Sequence, residues 1–316
     1  MSFKSFISFP YQLIHALRCS LYDLGLLKKQ RLPAYTISVG NLSFGGTGKT
    51  PITIALAKYL SRQGLRVAVL TRGYKSKAKK YPIIINNKTS SPLTVHEVGD
   101  EAMEMLNAFS TETNITLIVD PNRYRGGTTA HQQEKVDVFI LDDGLQHIQL
   151  NRDLEIILKN VNESGFYREF PWAKAKADHL IYTKVSQDWI RNNPEKKYAE
   201  FNLSLTKKLH PNSRLGVFTA VADPKTLVNN IQEYLAGQGH STEKLSNIER
   251  IFYPDHHLFS LGEVKEVLAL GINIICTRKD LVKIPQEYRD QFTEARIDVK
   301  FSPSNFESTV HKGVVR

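Results

Sequence analysis

The sequence predicts an α/β protein, with a mostly parallel sheet flanked by helices, a second and smaller α/β domain, and an N-terminal amphipathic helix. Three observations carry that expectation. Ser43-Phe-Gly-Gly-Thr-Gly-Lys-Thr50 joins an apolar, β-rich run, Tyr35–Val39, to a helical pattern through Ile52, Leu56 and Leu60. Further apolar runs at Val67–Leu70, Thr116–Val119, Asp137–Asp142, Leu154–Leu158 and Leu180–Thr183 alternate with helical or loop segments, as in sheets built from strand–helix units. After a change of character near 197–215, a second series of strands and helices begins at Gly216. The expected divisions are 1–30 for a membrane-associating helix, 31–214 for a nucleotide-binding domain with a connector, and 215–316 for the smaller domain.

A chain of 316 residues, 41% hydrophobic and 23% charged, is long enough for two globular domains. Its two cysteines, Cys19 and Cys276, lie far apart without metal-like spacing, which fits a reducing compartment and argues against a disulfide framework. The net charge of +10 calls for an anionic partner such as a membrane surface, a phosphorylated substrate or nucleic acid. No motif with interleaved aromatic residues supports nucleic acid.

The first thirty residues place Phe3, Phe6, Ile7, Phe9, Leu13, Ile14 and Leu17 among few charges. The uncharged stretch from Ser5 to Leu17 is too short to span a bilayer, which takes ~20 residues, and it lacks a convincing signal-peptide cleavage site. An amphipathic helix on an anionic membrane face and a helix packed on the protein's own core both fit.

The glycine-rich stretch has the layout of a phosphate-binding P-loop: strand, turn, Gly-Lys-Thr, helix. Ser43, Phe44, Gly45, Gly46, Thr47, Gly48, Lys49 and Thr50 would cradle the phosphates of ATP with backbone N–H groups at a helix N-terminus. Lys49 would reach the β/γ-phosphates and Thr50 would ligate Mg²⁺. Ser43 stands where the usual pattern has glycine, and the bland alternative is an ordinary glycine-rich turn.

Val67–Leu70 leads into Thr71-Arg-Gly-Tyr74 and a lysine-rich loop, which at a strand's carboxyl end can face a ligand. Tyr81–Ile85 and Leu93–Val95 are expected to pair around the polar turn between them. Val98-Gly-Asp-Glu101 opens a helix, where Asp100 and Glu101 serve either as cap and dipole partners or as base and metal ligand. Arg123 and Arg125 are placed in the loop after Thr116–Val119. Asp137–Asp142 reads as a strand whose terminal carboxylate, Asp142, holds Mg²⁺ directly or through water. Asp143, Gln146 and His147 follow in its turn, with His147 either lining an acceptor cleft or capping structure. Phe166-Tyr-Arg-Glu-Phe-Pro-Trp172 is an aromatic segment around Arg168 and Glu169.

Taken together these residues resemble the tetraacyldisaccharide 4'-kinases of lipid A synthesis. The resemblance rests on Val39–Pro51 with its non-glycine opening, Thr71-Arg-Gly-Tyr74, Val98-Gly-Asp-Glu101, Asp142-Asp-Gly-Leu-Gln-His147, Arg168-Glu169, Asp255-His-His257 and Thr277–Lys283. Ala102 stands where the family usually has proline, Phe170-Pro171 where it tends to have Pro-Leu, and Thr71 where serine is usual. The family implies transfer of the γ-phosphate of ATP to the 4'-hydroxyl of a lipid A disaccharide precursor, at the cytoplasmic face of the bacterial inner membrane. On that footing Asp100 is the expected base, partnered by His256 from the Tyr253–His257 turn, with Lys49 acting on the phosphates. Thr50, Asp142 and Glu101 are the expected metal ligands. Thr71, Arg72, Arg123, Asp143, Gln146, His147, Arg168 and Glu169 are expected around the acceptor. No obligate protein partner is implied. A soluble P-loop kinase of another sugar or small alcohol is the alternative enzyme, and a switch NTPase is the alternative from another class.

Overall fold

In the computed structural model, which describes residues 3–43, 46–86, 93–162, 167–210 and 212–316, strands from both halves of the chain join in a single twelve-stranded sheet. The first half runs α1 (Phe3–Asp23), β1 (Tyr35–Asn41), α2 (Lys49–Arg62), β2 (Val67–Thr71), β3 (Ile83–Ile85), α3 (Val95–Val98), α4 (Asp100–Ala108), β4 (Ile115–Val119), α5 (Arg123–Gln133), β5 (Val138–Asp142) and β6 (Leu154–Asn160). A 3-10 turn (Pro171–Lys176), β7 (His179–Thr183), α6 (Gln187–Asn192) and β8 (Tyr198–Leu205) complete it. The second half runs β9 (Leu215–Thr219), α7 (Pro224–Gly237), α8 (Thr242–Ser246), β10 (Glu249–Phe252), α9 (Leu261–Leu268), β11 (Asn273–Thr277), α10 (Arg278–Leu281), α11 (Gln286–Arg289), β12 (Phe292–Ser302) and α12 (Phe306–Val314).

Across the sheet the order is β10-β9-β11-β12-β8-β7-β6-β1-β5-β2-β4-β3. Neighbours are parallel except for β12–β8 and β3–β4. Strands β2, β5 and β9 are buried at every position, which is why they read as unbroken apolar runs. The central position of β1, between β5 and β6 with Val39 opposite Asp142, sets the loop after β1 beside the carboxylate that ends β5. The carboxyl ends of β1, β5, β2 and β4 therefore share one edge, where ligands gather in parallel sheets.

Each half has its own apolar clusters, one around Ile37, Leu56, Val69 and Ile140, another around Val217, Ile231 and Ile275. Phe301, Phe306 and Val310, near the chain's end, return to the cluster of the first half.

Three local expectations are corrected. Leu93–Val95 does not pair with Tyr81–Ile85; β3 pairs antiparallel with β4 instead. The Glu97 carboxylate accepts from Thr94 N at 2.8 Å, a capping interaction that starts α3 where a strand was expected. Arg123 and Arg125 lie in the first turn of α5 rather than in a loop, because Asn122 accepts from Arg125 N and caps that helix. The connector near 197–215 contains β8, which pairs parallel with β7 and antiparallel with β12 and so joins the two halves of the sheet. Its alternation of Ala199, Phe201, Leu203 and Leu205 with polar residues is that of a strand covered mainly on one face.

Phe44, Gly45, Phe166 and the polar turn at 87–91, all singled out from the sequence, lie outside the described residues, as do the side chains of 3–12 and of Pro171 and Trp172.

Candidate active site

The loop after β1 ends at Gly48, whose φ of 86° is left-handed and which caps the N-terminus of α2. A Cβ there would come within 2.2 Å of the Phe201 ring, so glycine is required by both conformation and space. Lys49 opens α2; its Nζ donates to Asn41 Oδ1 at 3.2 Å and lies 3.5 Å from Asp143 Oδ1. Ser43 and Thr47 are buried, Thr50 is half-buried in the first helical turn, and Gly46 is exposed. Asn41 organises this loop through both ends of its amide, because its Nδ2 also donates to Ser43 O at 2.7 Å. It lies within the Val39–Pro51 stretch of the family resemblance, but no role of its own was expected for it from the sequence.

The aspartates at the end of β5 and just after it differ in charge state. Asp142 is buried and accepts from Thr53 Oγ1 at 3.3 Å. Burial, with the neighbouring charges of Glu101 and Asp143, pushes its pKa up to about 7 against the pull of Lys49 and Arg123. Asp143 has a left-handed φ of 50° and faces Lys49 and Arg168, the latter donating at 2.9 and 3.0 Å. Burial acts to raise its pKa, but Lys49 and Arg168 outweigh it and hold the carboxyl below its usual range. Buried Arg123 donates to the backbone oxygens of Asp142 and Asp143, so it braces the turn that presents both carboxylates. Among the described residues no three His, Cys, Asp or Glu side chains gather as a cation cage.

Asp100 opens α4 after Gly99, whose φ of 87° lets it lie against Tyr74 O, 2.5 Å from where a Cβ would stand. Its Oδ2 lies 2.7 Å from His256 Nδ1, 3.6 Å from Lys279 Nζ and 3.9 Å from Lys283 Nζ, all three from the second half of the chain. Burial opposes ionisation here, but Lys279, His256 and Lys283 prevail and lower the pKa of Asp100. His256 has a left-handed φ of 65° and lies 5.4 Å, centroid to centroid, from the exposed Tyr74 ring. Such backbone is uncommon for a side-chain-bearing residue and is over-represented at functional sites. The adjacent His257 turns elsewhere, to Glu263 at 3.0 Å and a stacked Tyr253. Lys279 and Lys283 were noted only as part of a motif; nothing in their spacing shows which carboxylate they meet.

The remaining candidates border the P-loop on its other side. Backbone bonds from Arg168 N and Glu169 N to Leu42 O tie that segment to the end of β1. Gln146 Nε2 donates to Asn41 O at 3.2 Å and to Glu169 Oε1 at 3.1 Å. Burial pushes Glu169 up to about 7 and, with Arg123 and Arg152 nearby, drives His147 down to about 3, so His147 is neutral at physiological pH. Thr71 is buried at the end of β2 and Arg72 is exposed just beyond it.

Beside this segment α1 packs through His15 and Cys19, both buried, while Leu13, Ile14 and Leu17 on its other side are 54%, 70% and 64% exposed. Among the described residues no helix is long and apolar enough to cross a membrane. The inner face of α1 therefore meets the protein and its outer face leaves large apolar side chains uncovered.

Residues 3–314 match the family model described as tetraacyldisaccharide-1-P 4'-kinase. The chain is 30% identical over 307 residues to the tetraacyldisaccharide 4'-kinase of Psychrobacter arcticus, covering 88% of this chain and 76% of that one. It is 30% identical over 312 residues to that of Haemophilus influenzae, covering 93% and 86%. A crystal structure of LpxK from Aquifex aeolicus in complex with ATP superposes with a TM-score of 0.75 at 28% identity, covering 98% of this chain and 96% of that one. With family, relatives and fold in agreement over nearly its whole length, the chain belongs to the tetraacyldisaccharide-1-P 4'-kinase family.

Proposed function

We propose that the chain moves the γ-phosphate of ATP to the 4'-hydroxyl of a tetraacyldisaccharide 1-phosphate with Asp100 as the proton acceptor. Its family makes it a tetraacyldisaccharide-1-P 4'-kinase of lipid A biosynthesis; the residue roles are our own reading. The supporting observation is the 2.7 Å contact between Asp100 and His256, which brings a carboxylate from one half and an imidazole from the other to the edge that holds the P-loop. A sugar hydroxyl is a poor nucleophile until its proton has somewhere to go. In this reading Asp100 takes the proton as the hydroxyl oxygen attacks the γ-phosphorus and the bond to ADP breaks. His256 fixes the orientation of the carboxylate and keeps it ionised, free to accept the proton.

The N–H groups at the start of α2, with Lys49, hold the β/γ-phosphates and offset the charge that spreads over them. Glu101 and Asp143 lie close enough to raise the pKa of Asp142, which leaves that carboxylate short of positive charge, as suits a divalent cation using few protein ligands. Mg²⁺ held by Thr50 and Asp142, with Glu101 the third candidate, would neutralise phosphate charge there. Asp143, Gln146, His147, Arg168 and Glu169 line the acceptor side, with Thr71 and Arg72 facing the edge from β2, and Arg123 supports them through the Asp142–Asp143 turn. The halves 31–214 and 215–316 act as two domains whose approach assembles Asp100 with His256. The uncovered leucines of α1 seat the enzyme in the cytoplasmic leaflet of the bacterial inner membrane, where a lipid acceptor resides and anionic head groups attract a basic protein.

The test is transfer from labelled ATP to a lipid A disaccharide monophosphate in detergent micelles, run beside soluble sugars. Preferential labelling of the lipid at its 4'-position is expected. Equal labelling of soluble alcohols would point to a different acceptor.

A further inference from the structure

Three nitrogens of the second half converge on Asp100, and the two lysines among them are held differently. Lys283 donates to Asp280 Oδ1 at 3.2 Å. Asp280 in turn accepts from Thr219 Oγ1, Ala220 N and Thr277 Oγ1. Those bonds make Lys283 part of the frame that joins α10 to β9. Lys279 stands instead between two carboxylates, Asp255 Oδ1 at 3.3 Å and Asp100 Oδ2 at 3.6 Å.

Asp255 also approaches His256, with Oδ2 at 3.5 Å from Nε2, while Asp100 holds Nδ1. One imidazole is thus flanked by a carboxylate at each nitrogen, and a single ammonium touches both. Two carboxylates drawn to one ring repel each other, and more strongly where bulk water is excluded. The side chain of Asp100 is 5% exposed, that of Lys279 16% and that of Asp255 37%, so solvent screens that repulsion only from the Asp255 side. The cation between them does so directly.

We propose that Lys279 is a positioning residue for the phosphotransfer, its ammonium bridging Asp100 and Asp255 so that Asp100 stays aimed at the acceptor and bonded to His256. The bridge rests on the reading of Asp100 as the base. Because α10 packs on α4, it also ties the second half of the chain to the first at the place where the hydroxyl must lose its proton. With Lys279 neutral, Asp100 keeps Lys283 at 3.9 Å but nothing bridges it to Asp255 across His256, and the Asp100 carboxylate relaxes by turning away from Asp255.

Lys279→Met keeps the length of the side chain and removes its charge. The expected result is a kcat lower by roughly tenfold or more, part of the ~10²–10⁴-fold that general-base help supplies, with KM for ATP and for the lipid acceptor within about twofold. Asp255→Asn added to Lys279→Met removes the charge that Lys279 offsets but leaves an oxygen for His256, so kcat recovers most of that loss. A contact that merely supported packing would give no such recovery. Should Lys279→Met fold poorly by thermal unfolding, Lys279→Gln permits the same comparison. A wild-type kcat in the charge-free variant overturns the proposal, and so does a loss that Asp255→Asn does not relieve. Asp100→Asn is measured alongside: if it keeps wild-type kcat the base assignment has failed, whereas an inactive Asp100→Asn beside a fully active Lys279→Met refutes the bridge alone.

Discussion

Asp142→Asn separates a carboxylate kept for a ligand from one kept for stability. In the folded protein burial, with Glu101 and Asp143, pushes the Asp142 pKa up to about 7, whereas an aspartate in an unfolded chain titrates near ~3.9. Between those values the folded state holds a proton that the unfolded state has released. Stability therefore falls as pH rises from about 4 to about 7, and the full cost persists above that. A shift of about three units, at ~1.4 kcal/mol each, sets a ceiling of ~4 kcal/mol; because the asparagine amide is itself a buried polar group, roughly 2 kcal/mol of that is expected on replacement. Asparagine keeps an oxygen for Thr53 and removes the charge. The ligand-free variant should then unfold about 3–6 °C above the wild type at pH 8, with the difference shrinking to roughly a third of that at pH 5 and vanishing below about pH 4. Glu104 and Glu169, also pushed up to about 7 by burial, and His147, pushed down to about 3, remain in both proteins and cancel. The same variant should lose most phosphotransfer and most of the thermal stabilisation given by Mg²⁺ with an ATP analogue. The assay is differential scanning fluorimetry from pH 4 to 8, with and without nucleotide. A variant less stable than wild type at pH 8, or a gap that does not change with pH, would refute the reasoning.

Three further outcomes follow from the same geometry. Lys49→Ala and Thr50→Ala should each lose most transfer, roughly a hundredfold or more, with unfolding temperatures near wild type; normal turnover of Lys49→Ala at saturating ATP would remove the P-loop from the mechanism. Asp100→Ala and His256→Ala should each lower kcat by ~10²-fold or more at nearly unchanged ATP KM, with the double variant little worse than the poorer single; fully multiplicative losses would show that the two act separately. Replacing Leu13, Ile14 and Leu17 together by serine should release the protein from anionic vesicles and raise KM for lipid while sparing ATP affinity, and undiminished flotation with vesicles would place the membrane contact elsewhere.

The strands of the nucleotide half were legible because parallel strands buried on both faces leave unbroken apolar runs, and because a glycine-rich turn between strand and helix has few other uses. The sequence linked the P-loop to the strand ending in Asp142 only as paired motifs; that β1 and β5 are neighbours, with Val39 opposite Asp142, is seen in the structure. Strand β12 and helix α12 were not foreseen. Their apolar residues Phe301, Phe306 and Val310 pack against the first half, and a contact so distant in sequence leaves no local pattern. Strand β8 was read as a connector because its polar alternate positions resemble a loop until β12 is set beside them. At the site, the approach of His256 to Asp100 could be expected through the family resemblance, but the two lysines around that carboxylate could not. Their partner is chosen by the packing of α10 on α4, which spacing alone does not encode.

Asp100, Asp142 and Asp143 are the same residue type, yet their surroundings push their charge states in different directions. Asp143 meets Lys49 and Arg168 and stays ionised. Asp100 meets His256, Lys279 and Lys283 and stays ionised despite burial. Asp142 has only the weaker pull of Lys49 and Arg123 against burial and two neighbouring carboxylates, and its pKa rises. Separating titratable groups in this way divides labour within a site. A carboxylate held ionised by fixed cations of the protein can receive a proton at once, whereas one left short of positive charge gains most when a cation arrives with the nucleotide. On the proposed roles, that difference is why Asp100 suits the base and Asp142 the metal.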